Sequence, residues 1–355
     1  DARRAAEAGE LAFGTVDSFL IWRLTGGRLH LTDASNASRT ALYDIHRGVW
    51  DPVLCELFRV PPNCLPEVRD SAGDFGSTAP ERFGEVLPIR GVAGDQQAAL
   101  IGQGCTSEGT AKCTYGTGAF LVLNTGSRLL RSRSRLLGTI GYRVGGRVTY
   151  ALEGSILSAG ATVQWLRDGL GLFARTEEIE ALAGSVPDAG GVFVVPAFTG
   201  LGAPWWDPDA RGAILGLERA TGRAQLARAG LDSVVYQTRD LLDAMAADGV
   251  APALLKVDGG MADNRLFLQC LADVLAVPVL RPRITESSAF GAACLSGLGA
   301  GVYSSMEEIA GLWQEDLRCA PHLDETLRQR RISAWREAVE RVRSNRDRKD
   351  DAIGS

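Results

Sequence analysis

The residues best suited to chemistry lie close together in one span, Gly91 to Gly126. Asp95, Gln96 and Gln97 follow a glycine and precede AALIGQG, which places a carboxylate and two amides at the start of an expected helix. Some twenty residues on, Tyr115-Gly116-Thr117-Gly118 sits between Lys112-Cys113-Thr114 and the apolar run Ala119 to Leu123. That order predicts a hairpin whose tight turn exposes backbone N–H groups and a threonine hydroxyl, a combination suited to phosphate. Either motif alone also fits an ordinary cap or an ordinary glycine-rich turn. Together they outline a polar site facing a phosphate cradle.

These motifs need a scaffold, and 355 residues with 45% hydrophobic side chains supply enough for about two domains with real cores. A formal net charge of −5 and the lack of a Lys/Arg-rich run argue against nucleic acid as a partner and favour a small molecule. The basic residues from Arg128 to Arg135 read as a solvated loop. Seven scattered cysteines with no CxxC spacing indicate neither a disulfide framework nor a zinc site. His30, His46 and His322 are far apart and without ligand spacing, so no histidine chemistry and no metal-ligating set is expected. No apolar run approaches the roughly 18 residues needed to span a bilayer, and the opening segment lacks the apolar core of a signal peptide. These features suit a cytoplasmic protein.

In chain order, Thr15 to Leu24 has helical apolar spacing and stops at Gly26-Gly27. The polar cluster Ala34 to Thr40 is open to two readings, a solvated loop or the lining of a polar ligand. Leu87 to Val92 is read as a strand, and a domain boundary is placed near Gly104 to Gly109. A second hairpin is expected from Leu136 to Leu152, turning at Gly145-Gly146. Ser155 is expected to cap a helix containing Ala159 to Leu166, in which Gly160 either packs closely or leaves room for a ligand. Trp205 and Trp206 offer a stacking platform or fold back onto the core. From Thr221 to about Asp248 the spacing predicts a long core helix. Leu254 to Asp258, then Gly259-Gly260 and a helix, form a strand, glycine-rich loop and helix arrangement suited to nucleotide contact, although not GxGxxG. Helices over Ser287 to Leu298, Met306 to Trp313 and Asp324 to Arg343 close the chain, with a charged, frayed tail.

The Gly-Thr-Gly hairpin, further strands and helices, and a late Asp-Gly-Gly loop together resemble the nucleotide domain of the actin, Hsp70 and sugar kinase superfamily, an α/β ribonuclease H-like fold. Within it, GTVDSFLIWRLTGG, TDASNASRTALYDI, GVAGDQQAALIGQG, TYGTGAF, TYALEGSILSAGATVQWLRD, VVPAFTGLGAPWWDPDARGAILGL and VDGGMADNRLFLQ resemble the FGGY carbohydrate kinases, and among these the members that phosphorylate glycerol. The resemblance runs from about Gly14 to Gly301. It implies that Asp95 is the general base, that Gln96 hydrogen-bonds glycerol, and that Phe120 packs on its carbon skeleton. It further implies that Thr117, with the backbone of Gly116 and Gly118, holds the phosphates of ATP, that Gly160, Gln164, Gly260 and Asn264 line the adenosine side, and that Mg2+ bridges the phosphate oxygens. A homo-oligomer is also implied.

The resemblance has departures. The family's first phosphate turn, and an Arg-Glu pair, a Trp and a Tyr that hold glycerol, come ahead of the matched region. Residues 1–104 therefore read as the later part of the first domain, 105–304 as a complete nucleotide-side domain, and 305–355 as C-terminal helices and tail. A chain incomplete for catalysis is expected, with apolar surface exposed on its first-domain elements. Thr78 to Val86 does not reproduce the loop by which some bacterial members bind a sugar bisphosphate. Gly230 replaces the β-branched, Ala, Ser or Met residue usual in the family's second signature. A kinase of another polyol or ketose, or a silent nucleotide-binding remnant, remain the alternatives.

Overall fold

The computed structural model describes residues 2–344. Its centre is a seven-stranded mixed sheet built from β1 (Ala111–Tyr115), β2 (Ala119–Gly126), β3 (Leu137–Val144), β4 (Arg147–Ile156), β5 (Leu255–Asp258), β6 (Val279–Pro282) and β7 (Glu315–Cys319). The spatial order is β7-β6-β5-β1-β2-β4-β3. β1, β5 and β6 run parallel, whereas β2, β3, β4 and β7 join antiparallel. The alternation of Ala111, Cys113 and Tyr115 with Lys112 and Thr114 gives β1 two different faces, both buried.

The Cys113 and Tyr115 face packs against the long helix α5 (Arg223–Ala247), where Tyr115 Oη and Thr238 Oγ1 are 3.0 Å apart. The opposite face meets α2 (Asp95–Gly102), whose Leu100 packs on Val122 and Ala151. α7 (Ser287–Gly299) lies directly against α2. A Cβ on Gly291 would stand 1.8 Å from the Ala98 carbonyl oxygen, and one on Gly102 would stand 2.0 Å from that of Ser287. Only glycine admits that approach of two helix backbones.

Preceding this core, α1 (Val16–Leu24) leads to a short parallel pair, Leu31–Asp33 with Glu67–Arg69. The polar cluster from Ala34 is not a solvated loop. Asp33 is buried and accepts hydrogen bonds from Ser35 N, Asn36 N, Asn36 Nδ2, Ser35 Oγ and Ser71 Oγ, so the cluster is an internal cap. The exposed side of α1 carries Val16, Phe19, Leu20 and Trp22. His30 is fixed by a contact with the Phe13 carbonyl at 2.9 Å.

Two expected elements differ. Leu87 to Val92 is not a regular strand; it runs beside Ser71 to Thr78 with single bridges, Ser77 with Pro88 and Ala72 with Gly91, and irregularly spaced backbone hydrogen bonds such as Phe75 N to the Ile89 carbonyl at 3.0 Å. Ser155 caps nothing, since it lies inside β4 opposite Phe120. The helix there, α3 (Gly160–Asp168), starts after Ala159. Its first N–H groups are satisfied from outside: Gly160 N donates to the Gly116 carbonyl at 2.9 Å, and Ala161 N to that of Thr117 at 3.0 Å. The substitution at Gly230 also has a packing reason, because a Cβ there would meet Leu166 Cδ1 of α3 at 2.3 Å. Of the charged tail only Arg343 and Ser344 fall within the described residues.

All seven cysteines are buried and unpaired. Burial pushes the thiols of Cys105, Cys113 and Cys270 up, to about 11 for the first and about 12 for the other two. No helix among the described residues is long and apolar enough to cross a membrane.

Trp205 folds back rather than forming a platform: its Nε1 donates to Asp240 Oδ2 at 3.2 Å, and Trp335 Nε1 donates to the same oxygen at 2.8 Å. Trp335 belongs to α9 (Glu325–Val342), which thereby docks on α5. Burial pushes the Asp240 carboxyl up to about 6, against the opposing pull of the two indole N–H groups. The folded value lies above the ordinary 3.8, so this group's contribution is complete below pH 3.8 and is lost as pH rises through about 6. Asp240→Asn keeps the acceptor and removes the charge. Relative to this variant, the wild type is expected to lose about 1 to 3 kcal/mol between about pH 4 and about pH 7. Urea unfolding of both proteins at the two pH values measures the difference.

Candidate active site

Strand register decides which side chains share a face, because directly opposed residues of paired strands project to the same side. Lys112 opposes Val122 and Lys256; Thr114 opposes Phe120 and Asp258; Val122 in turn opposes Glu153. Lys112, Thr114, Phe120, Glu153 and Asp258 therefore all lie on the side that faces α2. That face is unusually charged for an interior.

Asp95 opens α2 and is exposed. Gln96 Nε2 donates to Asp95 Oδ2 at 3.1 Å. Lys112 is fully buried, and its Nζ donates to Gln96 Oε1 and to Thr114 Oγ1, the latter at 2.9 Å. Burial pushes the Lys112 ammonium below its ordinary value, opposed by the negative charges of Asp258, Glu153 and Asp95 and by Cys113. Asp258, also buried, accepts from Gln103 Nε2 at 2.8 Å, and its second oxygen has no partner. Glu153 is held by Arg39 Nη2 at 2.9 Å.

On the far side of the turn, a cavity of about 440 Å3 brings together Thr117, Gly160, Gln164, Gly260 and Asn264, five candidates from distant parts of the chain. The turn closes by a Gly116 N to Gly118 O bond of 2.9 Å. A Cβ on Gly160 would meet the Gly116 carbonyl oxygen at 2.6 Å, so Gly160 both packs and lines the cavity. A Cβ on Gly259, whose φ is +86°, would meet the Tyr115 carbonyl oxygen at 2.5 Å, whereas one on Gly260 would meet open space. Asn264 caps α6 (Arg265–Leu275) by accepting from Phe267 N at 2.8 Å, and Glu180 Oε1 accepts from Arg265 N at 3.1 Å. The cavity is large enough for a nucleoside and is walled on one side by Ile179 and Met261.

Asp95, Gln96 and Phe120 do not line that cavity; they sit on the α2 side of the sheet, with the Gly116 turn between. The sequence reading missed Lys112, Asp258, Gln103 and the acidic rim at Glu177 and Glu180. A lysine flanked by Ala111 and Cys113 in a strand was the available signal for the first.

The geometry is matched by known proteins. The model of the FGGY carbohydrate kinase C-terminal domain matches residues 111–300, and that of the N-terminal domain matches residues 1–102. The chain belongs to the FGGY family of carbohydrate kinases. Both domains are thus represented, and the fold is the actin-like fold of sugar kinases. The glycerol kinase of Alcanivorax borkumensis is 59% identical over 343 residues, covering 96% of this chain and 69% of that protein. That of Rhodospirillum centenum is 58% identical, covering 97% and 69%. A crystal structure of Plasmodium falciparum glycerol kinase with ADP superposes with a TM-score of 0.90 at 36% identity, covering 96% of this chain and 68% of that one. A gluconate kinase from Lactobacillus acidophilus, at 20% identity and a TM-score of 0.83 over 93% of this chain and 68% of that one, shares the fold.

The two cavity glycines should respond differently to a methyl group. Gly160→Ala is expected to cost about 1 to 3 kcal/mol, because the clash is with backbone. Gly260→Ala is expected to stay within about 0.5 kcal/mol. Denaturant midpoints of the two variants check this, and equal losses would contradict the packing described.

Proposed function

We propose that this protein transfers the γ-phosphoryl group of ATP to glycerol, giving glycerol 3-phosphate and ADP. The observation that carries the reading is the arrangement about Lys112. The acid-bearing start of α2 is hydrogen-bonded to the stem of the phosphate turn, and beyond that turn lies a nucleoside-sized cavity. The names of the similar proteins, glycerol kinases at 55 to 59% identity over almost the whole chain, supply the acceptor.

Asp95 takes the proton from the substrate hydroxyl. The oxygen so released forms a bond to the γ-phosphorus while the bridge from γ-phosphorus to the β-phosphate oxygen breaks, and ADP leaves. The N–H bond from Gln96 orients the Asp95 carboxylate, and Gln96 with Phe120 receives the glycerol. Thr117 and the Gly116 and Gly118 backbone hold phosphate. Gly160, Gln164, Gly260 and Asn264 bound the adenosine. Among the described residues no group of three or more His, Cys, Asp and Glu is arranged to hold a metal. Mg2+ is usually held by one or two carboxylates plus substrate phosphates, so it would come with the nucleotide and neutralise phosphoryl charge. Residues 1–104 form the substrate side, 105–304 the nucleotide side, and 305–355 the closing helices and tail of a cytoplasmic, self-associating enzyme.

The test is ADP release in the presence of ATP with glycerol, xylulose or gluconate, alongside calorimetry with ADP. Glycerol-dependent release is expected, in place of the catalytic incompleteness expected from the sequence, because both family domains are matched; ADP binding with no turnover on any acceptor would instead favour a nucleotide-binding protein. If Asp95 is the base, Asp95→Asn should lower kcat by about 10²- to 10⁴-fold and leave ADP affinity unchanged. A mere cap would respond otherwise, because Asn caps a helix as well as Asp and kcat would barely change.

A further inference from the structure

Lys112 is the feature that this mechanism leaves unused. It is completely buried, yet among the described residues its ammonium forms no direct ion pair; its partners are the neutral Gln96 Oε1 and Thr114 Oγ1. A buried cation is costly unless hydrogen-bonded, and an apolar side chain of similar length would fill the same space without that cost. The ammonium does what no apolar side chain could, which is to decide which way the Gln96 amide points. A carboxamide can present either end to a neighbour. With its oxygen taken by Lys112, Gln96 must turn its NH2 group toward Asp95, and the observed 3.1 Å bond to Asp95 Oδ2 is the result. With the amide reversed, an oxygen would face the carboxylate and push it away.

The other anchor gives the contact its direction. Thr114 precedes Tyr115 and the Gly116-Thr117-Gly118 turn, so Lys112 ties the acid to the strand that carries the phosphate cradle. We propose that Lys112 is a positioning residue for phosphoryl transfer: through the Gln96 amide it sets the Asp95 carboxylate in register with the phosphate turn. The proposal rests on the role given to Asp95 above. It assigns Lys112 no contact with substrate or nucleotide.

Three measurements test it. Lys112→Met, which keeps the length and removes the ammonium, is expected to lower kcat by about 10- to 100-fold, the scale of a small misplacement at the reacting centre. ADP affinity by calorimetry should change by less than about threefold, because the nucleotide cavity lies across the turn. In an Asp95→Asn background the same substitution should cost less than about threefold, since a residue acting only through Asp95 has nothing left to position. Independent, multiplying losses, or a parallel loss of ADP affinity, would mark Lys112 as a structural residue and overturn the proposal. If Lys112→Met fails to fold, Thr114→Val removes the second anchor at nearly constant volume, and a kcat loss of about three- to tenfold with unchanged ADP affinity is expected. An unchanged kcat there would be equally damaging.

The side-chain amide of Gln96, assigned by 15N NMR, provides a readout that needs no turnover. Its two N–H signals should lie away from free-glutamine positions and exchange slowly with solvent in the wild type, and should move toward those positions and exchange faster in Lys112→Met or, failing that, Thr114→Val. Unchanged signals would sink the proposal even in an active enzyme. Changed signals in a protein that phosphorylates no glycerol would support the positioning contact while the reading of function fails.

Discussion

The contact that everything else depends on is the one with no side chains in it. At Gly102 and Gly291 the backbones of α2 and α7 meet so closely that a single methyl group on either would overlap a carbonyl of the other. Asp95 is carried at the N-terminus of α2, so its placement relative to α7 is set by backbone against backbone, while Leu100 seats the same helix on the sheet. Rigid elements with locked neighbours hold reacting groups to fractions of an ångström, and phosphoryl transfer draws most of its acceleration from such placement.

Similar close approaches shape the phosphate turn. Gly118 lies against the Ile156 carbonyl, Gly160 against Gly116, and Gly259 against Tyr115, so two stretches remote in sequence, Ile156 to Gly160 and the Gly259 loop, press on a four-residue turn. α3 shows what this does electrostatically. A helix N-terminus is a ready anion site, but here its first N–H groups are already donating to the carbonyls of Gly116 and Thr117. The start of the helix therefore ties down the turn's carbonyls at Gly116 and Thr117 and stiffens the turn.

The parts of this arrangement that follow local rules could be read from the chain. Alternation and a Gly-Thr-Gly turn marked the β1–β2 hairpin, the 3.6-residue spacing marked α5, and an Asn after two glycines marked the start of α6. What could not be read was set by partners far away in sequence. Leu87 to Val92 has strand composition but pairs only irregularly with Ser71 to Thr78, and Ser155 has a capping side chain but is held in β4 opposite Phe120. Whether Gly160 packs or makes room had no answer until Gly116 was placed beside it, and the answer was both. Lys112 escaped notice because a lone lysine in a strand looks solvated; the β1–β5 and β1–β2 registers show that both edges of its strand are paired, and α2 covers the face on which it lies.

The burial of every cysteine bears on how the protein can be handled. Thiolate is the reactive form, and with Cys105, Cys113 and Cys270 pushed to about 11 or 12 and all seven side chains shielded, the folded chain offers almost none of it. The thiols thus serve as a built-in reporter of opening: a maleimide or disulfide reagent reacts only as fast as the surrounding segment unfolds. The same silence means that one cysteine introduced on the surface can be labelled singly, without first removing the natural seven.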